Sequence, residues 1–182
     1  MYPPGFSTYV DMSGLTEELC GKSRPAHFRG VCTVVNKLFH IIQPDRAYFG
    51  EKDAQQLAII RRMAKDLNMD VAVIGCPIIR EEDGLAKSSR NTYLSAEERQ
   101  AALVLSRSLK AAASLLEAGV TDADTVLAKI RTVLEAEPLA RIDYVQAVDA
   151  DSMQPLEVIE SPALIAIAVR IGKTRLIDNI RV

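Results

Sequence analysis

The run Asp70 to Ile78, DVAVIGCPI, is almost continuously apolar, follows Asn68 and meets a breaker at Pro77. That pattern predicts a strand covered on both faces, as in a parallel sheet. Upstream, Arg46 to Phe49 reads as a brief strand that stops at Gly50. A helix follows from about Asp53, with Leu57, Ile60, Met63, Ala64 and Leu67 along one side. Strand, helix and strand in this order and at these lengths make a βαβ unit. Ahead of it, Val31, Val34, Val35, Leu38, Ile41 and Ile42 recur at helical spacing between His27 and Ile42, and Pro44 lies just past the end. Ser7 to Met12 alternates enough to predict a short strand after the turn at Pro3 to Gly5. The first 92 residues thus predict an α/β fold, part of a doubly wound, Rossmann-like parallel sheet.

After Tyr93 the pattern changes. Ser95 and Glu98 make a capping box, and the helix they open carries Leu103, Leu105, Leu109, Leu115 and Leu116 before Gly119 supplies a stop. A second helix spans roughly Asp122 to Glu135, capped by Thr121 or Asp122. Three strands are predicted beyond it, at Ile142 to Val148, Ala163 to Ile171 and Arg175 to Ile180. Two helices followed by three closely connected strands is α+β logic, so a boundary is placed near Asn91 to Ser95. The division is 1–92 and 93–182.

Composition narrows the function classes. At 48% hydrophobic and 25% charged residues the chain can bury a real core, and its net charge of −2 gives no general footprint for nucleic acid or an anionic membrane. Any anion site must be local. Cys20, Cys32 and Cys76 form no C-x-x-C pair and read as free thiols in a reducing cytoplasm. His27 and His40 have no second ligand type at metal-binding spacing, so no protein metal site is assigned. No apolar run is long enough to span a bilayer.

Two polar segments follow the predicted strands, at the end where open parallel sheets bind ligands. Gly50-Glu51-Lys52-Asp53 stands at a strand-to-helix junction, where unpaired N–H groups favour an anion and Lys52 can reach phosphate oxygens. The bland reading is a solvated loop with Asp53 as helix cap. Gln55 and Gln56 fall in the first helical turn, and one amide can face a small substrate while the other faces solvent. In the second segment, Lys87-Ser88-Ser89-Arg90-Asn91, hydroxyl donors sit between two cations, a set suited to a leaving pyrophosphate. A solvated linker is the alternative there. Arg24 to Gly30, RPAHFRG, precedes the first long helix; His27 can cap it or contact a carboxylate, and Arg29 can pair with one. Neither the P-loop nor G-x-G-x-x-G occurs.

FGEKDAQQLAIIRRMAKDL (Phe49 to Leu67), DVAVIGCPIIRE and DGLAKSSRNTYLS (Asp83 to Ser95) together resemble the pantothenate synthetases, AMP-forming ligases of pantoate and β-alanine. MYPPGF at the start, RPAHFRGVCTVVNKLFHIIQPDRAYFGEKD and TRLIDNI near the end support the likeness, which covers essentially the whole chain. The resemblance implies a nucleotidylyltransferase-type enzyme that uses ATP with Mg²⁺, takes pantoate and β-alanine as substrates and forms a homodimer. It implies that Gly50, Glu51, Lys52 and Asp53 line the ATP site, with Lys52 on phosphate. Gln56 would hold pantoate, Ile79 would give the adenine a backbone contact, and Lys87, Ser88, Ser89 and Arg90 would clamp the phosphates. Lys52, Ser88, Ser89 and Arg90 are the candidate catalytic residues. Lys87 stands where relatives usually carry an apolar residue. Roughly the first third of the family's chain, with its H-x-G-H motif, has no counterpart here, so the resemblance also implies weak or no turnover. Two rival readings are another nucleotidylyltransferase and a non-catalytic folding or dimerisation module.

Overall fold

The computed structural model describes all 182 residues, as two compact units, Met1–Pro77 and Ile78–Val182. In the first, α1 (Leu19–Ser23) and α2 (His27–Ile42) precede β1 (Arg46–Gly50), a 3-10 turn over Glu51–Asp53, α3 (Ala54–Asp66) and β2 (Ala72–Cys76). The strands β1 and β2 pair in parallel, Arg46 opposite Ala72 through Gly50 opposite Cys76. The βαβ unit is therefore present.

Register decides what each face of this sheet does. Phe49 and Val73 pack with Phe28, Cys32, Val35, Ile59, Ile60 and Met63 of α2 and α3. Both helices thus cover one face. Arg46, Tyr48 and Ala72 on the opposite face are exposed, which corrects the expectation of a strand buried on both sides. Ile41, Ile42 and Leu67, expected on the buried helix faces, are exposed too, because each lies in the last turn or just past its helix, beyond the packed cluster.

Both long helices end on left-handed residues that are not glycine. Gln43 closes α2 with φ 50°, its N–H reaching the Phe39 carbonyl, and Pro44 follows. At the end of α3, Asn68 (φ 51°) donates to Lys65 O and Met69 N–H to Ala64 O, a Schellman pair that drops Met69 onto the core.

The strand expected at Ser7 to Met12 does not form. That segment instead runs beside α2: Thr33 Oγ1 accepts the Val10 N–H at 3.0 Å, the Arg29 guanidinium stacks 4.0 Å from the Tyr9 ring centroid, and Lys37 lies over Phe6. Arg29, Thr33 and Lys37 are four residues apart on one helix face. Their side chains meet needs a sheet neighbour would otherwise have met.

The second unit holds a 3-10 turn (Ser89–Tyr93), α4 (Ala96–Ala101), α5 (Val104–Glu117), α6 (Ala123–Glu135) and the strands β3 (Ala140–Asp149), β4 (Ala163–Ile171) and β5 (Thr174–Arg181). The sheet is antiparallel with β4 in the centre. Ile165, Ile167 and Val169 of β4 pack with Leu105 and Leu109 of α5 and with Ile130 and Leu134 of α6. Each such side chain, fully buried, contributes about 1.5–3 kcal/mol. The long helix expected from Ser95 is interrupted at Ala102 and Leu103, where the N–H groups of Leu103 and Leu105 bond three residues back instead of four. Its capping box is intact, and Gly119 (φ 86°) ends α5 in a Schellman pair, with Gly119 N–H on Leu116 O and Val120 N–H on Leu115 O.

The compact units divide between Pro77 and Ile78, ahead of the boundary expected at Asn91 to Ser95. Residues 78–92 go with the second unit because Arg80 is tied to β5 through Asp178 and Leu85 joins the core of that unit. Periodicity within residues 78–92 themselves does not show which unit they join.

Three carboxylates are held below the usual aspartate range by hydrogen bonds. The Thr125 hydroxyl and N–H do this for Asp122, which caps α6; the Ser152 N–H and hydroxyl for Asp149; and the Arg99 guanidinium for Asp83. A depressed folded-state value stabilises the fold above the unfolded value, near 3.9, and that stabilisation is lost as pH falls through the folded value. The second unit is therefore expected to lose stability as pH drops below about 4. Melting temperatures of Asp122→Asn measured from pH 6 to pH 2 should fall less steeply than those of the parent, and parallel curves would contradict this.

Candidate functional site

The first candidate segment sits at the carboxyl end of β1. Gly50 closes the strand with ordinary angles (φ −69°, ψ 132°), and a Cβ built on it would meet nothing within 4 Å. Neither backbone strain nor packing asks for glycine here. Open space at this point leaves the backbone accessible to a ligand. Glu51–Asp53 then form one 3-10 turn and the chain enters α3. Asp53 occupies the N-cap position, yet its carboxylate makes no capping bond and lies 3.7 Å from Lys52 Nζ. The capping role expected for it does not form, and its carboxylate instead makes this loose ion pair. The entry to α3 is thus left without a side-chain cap, beside a lysine whose side chain is mostly covered.

The two glutamines separate in role. Gln55 is buried: its Oε1 accepts the Cys20 N–H at 2.9 Å, and its Nε2 donates to Leu15 O at 2.9 Å and Glu18 O at 2.8 Å. It pins the segment Leu15–Cys20 to the start of α3. Gln56, one residue on, is half-buried. Helical geometry turns neighbouring residues about 100° apart, so only one of the two can serve the interior. Arg29, read as a possible carboxylate partner, stacks on Tyr9, and Arg24 Nη1 lies 3.2 Å from His27 Nε2. His27 does not cap α2, whose N-cap is Ala26.

The second segment hangs from a small hairpin. Arg80 and Ala86 form an antiparallel bridge, Glu81 N–H donates to Leu85 O at 2.8 Å, and Lys87 N–H donates to Ile79 O at 2.8 Å. Gly84, at φ 93°, allows the turn. Arg80 holds this hairpin to β5: its Nη1 and Nη2 donate to the two carboxylate oxygens of Asp178 at 2.7 and 3.0 Å, and Nη1 also donates to Gly84 O. The Asp178 side chain is 1% exposed. Periodicity gave a signal for this pair: in TRLIDNI, Asp178 alternates in phase with Leu176 and Ile180, so it points inward and must have a partner.

From that anchor the polar segment is built turn by turn. Ser88 Oγ accepts the Arg90 N–H at 3.2 Å, Asn91 N–H donates to Ser88 O, and Asn91 Nδ2 donates to Ala86 O. Arg90 Nη1 reaches Arg175 O at 3.2 Å, and Arg175 itself is held by Asp143 at 2.8 Å. Lys87 is exposed, 3.9 Å from Glu81, and Ser89 and Ile79 are exposed as well. The expected donors are therefore present on a fixed backbone, with the Ile79 carbonyl already engaged by Lys87. No group of three or more His, Cys, Asp or Glu side chains stands together as a metal site. No helix is long and apolar enough to cross a membrane.

Comparison with known proteins gives this arrangement a context. The family profile described as pantoate-beta-alanine ligase matches residues 1–181. The pantothenate synthetase of Ruminiclostridium cellulolyticum is 63% identical over 179 residues, covering 98% of this chain and 64% of that protein. That of Enterococcus faecalis is 62% identical with the same coverage. A crystal structure of pantothenate synthetase from Thermus thermophilus superposes with a TM-score of 0.95 at 47% identity, over 100% of this chain and 66% of that one. A second, the pantoate-beta-alanine ligase of Francisella tularensis complexed with beta-gamma ATP and beta-alanine, gives a TM-score of 0.74 at 32% identity, over 99% of this chain and 60% of that one. The chain spans about 64% of the length of the curated relatives it matches.

Proposed function

The chain belongs to the pantoate-beta-alanine ligase family, and from that premise we propose that it carries the nucleotide-handling part of a pantothenate synthetase. The observation that supports this best is the family match itself, which runs through both polar segments at 63% identity to a named relative. In this reading, residues 1–92 serve nucleotide binding, with residues 78–92 carried on the second compact unit, and 93–182 make a small C-terminal domain.

The reaction has two steps. A pantoate carboxylate oxygen attacks the α-phosphorus of ATP, the bond from that phosphorus to the bridging oxygen breaks, and pyrophosphate leaves with the electron pair. The β-alanine amine then attacks the acyl carbon of the adenylate, loses a proton and expels AMP. No covalent bond to the protein is required, so alignment and charge stabilisation supply the rate. Gly50, Glu51, Lys52 and Asp53 line the ATP site, with the Lys52 ammonium on a phosphate oxygen. Ser88, Ser89 and Arg90 stabilise the charge that develops on the leaving pyrophosphate, helped by Lys87. Ile79 gives the adenine a backbone contact, and Gln56 binds pantoate through its amide. Gln55 is excluded from that role, since its amide is fully used inside the fold. Mg²⁺ would come with ATP and would offset phosphate charge beside the Lys52 ammonium.

This reading also makes the protein a cytoplasmic homodimer with three free thiols. The test is a mixture of ATP, pantoate and β-alanine followed for AMP and pyrophosphate. Pyrophosphate release that depends on pantoate is the expected result. Release indifferent to pantoate would contradict the substrate assignment.

A further inference from the structure

Gly75, next to the last residue of β2, has no backbone reason to be glycine, because its φ lies outside the left-handed region. A glycine inside a strand weakens it and often marks a close approach by another group. At Gly75 the approach is crowded: a Cβ built there would stand 2.9 Å from Leu57 Cδ2, 3.0 Å from Glu51 Oε1 and 3.2 Å from Arg61 Nη2. Gly75 lies opposite Phe49 in the register, and Phe49 packs on the helix-covered face, so these side chains meet between β2 and α3. Leu57 and Arg61 are four residues apart on α3, and Glu51 comes from the 3-10 turn just ahead of that helix. Arg61 Nε also donates to Val73 O at 3.3 Å, which lays the guanidinium along β2. Opposite charges from Glu51 and Arg61 thus stand over one bare Cα.

We propose that Gly75 and Arg61 are positioning residues of the proposed ATP site: the bare Cα of Gly75 leaves a seat in which the Glu51 carboxylate stands beside the Arg61 guanidinium, and this seat fixes the turn that carries Lys52. The inference rests on the reading of Gly50–Asp53 as a nucleotide site and adds two residues outside that tetrapeptide. The turn needs such a hold. It is three residues long, and Asp53, at the N-cap of α3, makes no capping bond. Glu51 is the side chain of the turn that reaches back onto the strand, and the neighbouring positive charge favours its carboxylate there. Lys52 is the next residue, so the place of its Cα follows from the place of Glu51. Where alignment rather than a covalent bond supplies the rate, that placement is what the site needs. The two glycines serve different ends: Gly50 has nothing within 4 Å of a Cβ and leaves room for a ligand, whereas Gly75 leaves room for the Glu51 side chain.

The experiment uses the intact chain and reads two quantities: amide exchange over Glu51–Gln56 without nucleotide, and the MgATP dissociation constant by calorimetric titration. Gly75→Ala, whose Cβ displaces the Glu51 carboxylate, should quicken that exchange and weaken MgATP by about tenfold. Shortening the displaced side chain, in Gly75→Ala with Glu51→Asp, should move both readings back towards the parent, whereas Gly75→Ala with Leu57→Val should not. Arg61 is exposed, so Arg61→Leu repeats the test from the helix side if Gly75→Ala does not fold. It should quicken the same exchange and weaken MgATP, with Arg61→Lys between it and the parent. Unchanged exchange in both Gly75→Ala and Arg61→Leu, or rescue by Leu57→Val in place of Glu51→Asp, would overturn the proposal. Quickened exchange with unmoved MgATP affinity would overturn the link from the seat to Lys52. A parent that binds no MgATP would overturn the nucleotide reading and the positioning role with it, and is told apart because the exchange pattern of the free chain then still follows the seat.

Discussion

Replacing Arg80 by leucine is expected to lower the unfolding free energy of the second unit by about 3 kcal/mol. The guanidinium makes two short bonds to Asp178, whose side chain is 1% exposed, and a third to the Gly84 carbonyl. Without it the carboxylate stays buried with the Asn179 N–H as its remaining donor among these contacts. Losing one partner of a buried pair costs about 3–5 kcal/mol, and the lower figure applies because the Arg80 side chain is 30% exposed. Urea unfolding of the parent and Arg80→Leu checks this. A loss under about 0.5 kcal/mol, the range of ordinary surface substitutions, would show that solvent already screens the pair. Because the same arginine holds the hairpin ahead of Lys87–Asn91, amide exchange over Ser88 to Thr92 should also quicken in the variant.

The second large effect is at Lys52. If its ammonium meets a phosphate oxygen, Lys52→Ala removes a charge-assisted hydrogen bond worth about 2 kcal/mol, close to a 30-fold rise in the MgATP dissociation constant. Calorimetric titration with MgATP provides the comparison, and equal affinities would remove Lys52 from the site.

Much of the fold is legible in the chain because local rules and burial agree. The capping box at Ser95 and Glu98, the stop at Gly119 and all three C-terminal strands are found where pattern places them. Pattern fails where a neighbour decides. Ser7 to Met12 alternates like a strand, but side chains of α2 take its contacts; Asp70 to Ile78 is apolar enough for two covered faces, but only one is covered. At the candidate site, the residue types at Gly50 to Asp53 and Lys87 to Asn91 are readable. The assignment of Gln55 to the interior and the role of Arg80 are not, because they depend on bonds to residues 35 to 98 positions away.

The central claim is the proposed assignment of each polar segment, taken by itself, to nucleotide binding. Hydrogen exchange of the intact chain with and without saturating MgATP tests it most directly. Slowed exchange in both Glu51–Gln56 and Ser88–Thr92 is the predicted result; unchanged exchange in either segment would contradict it.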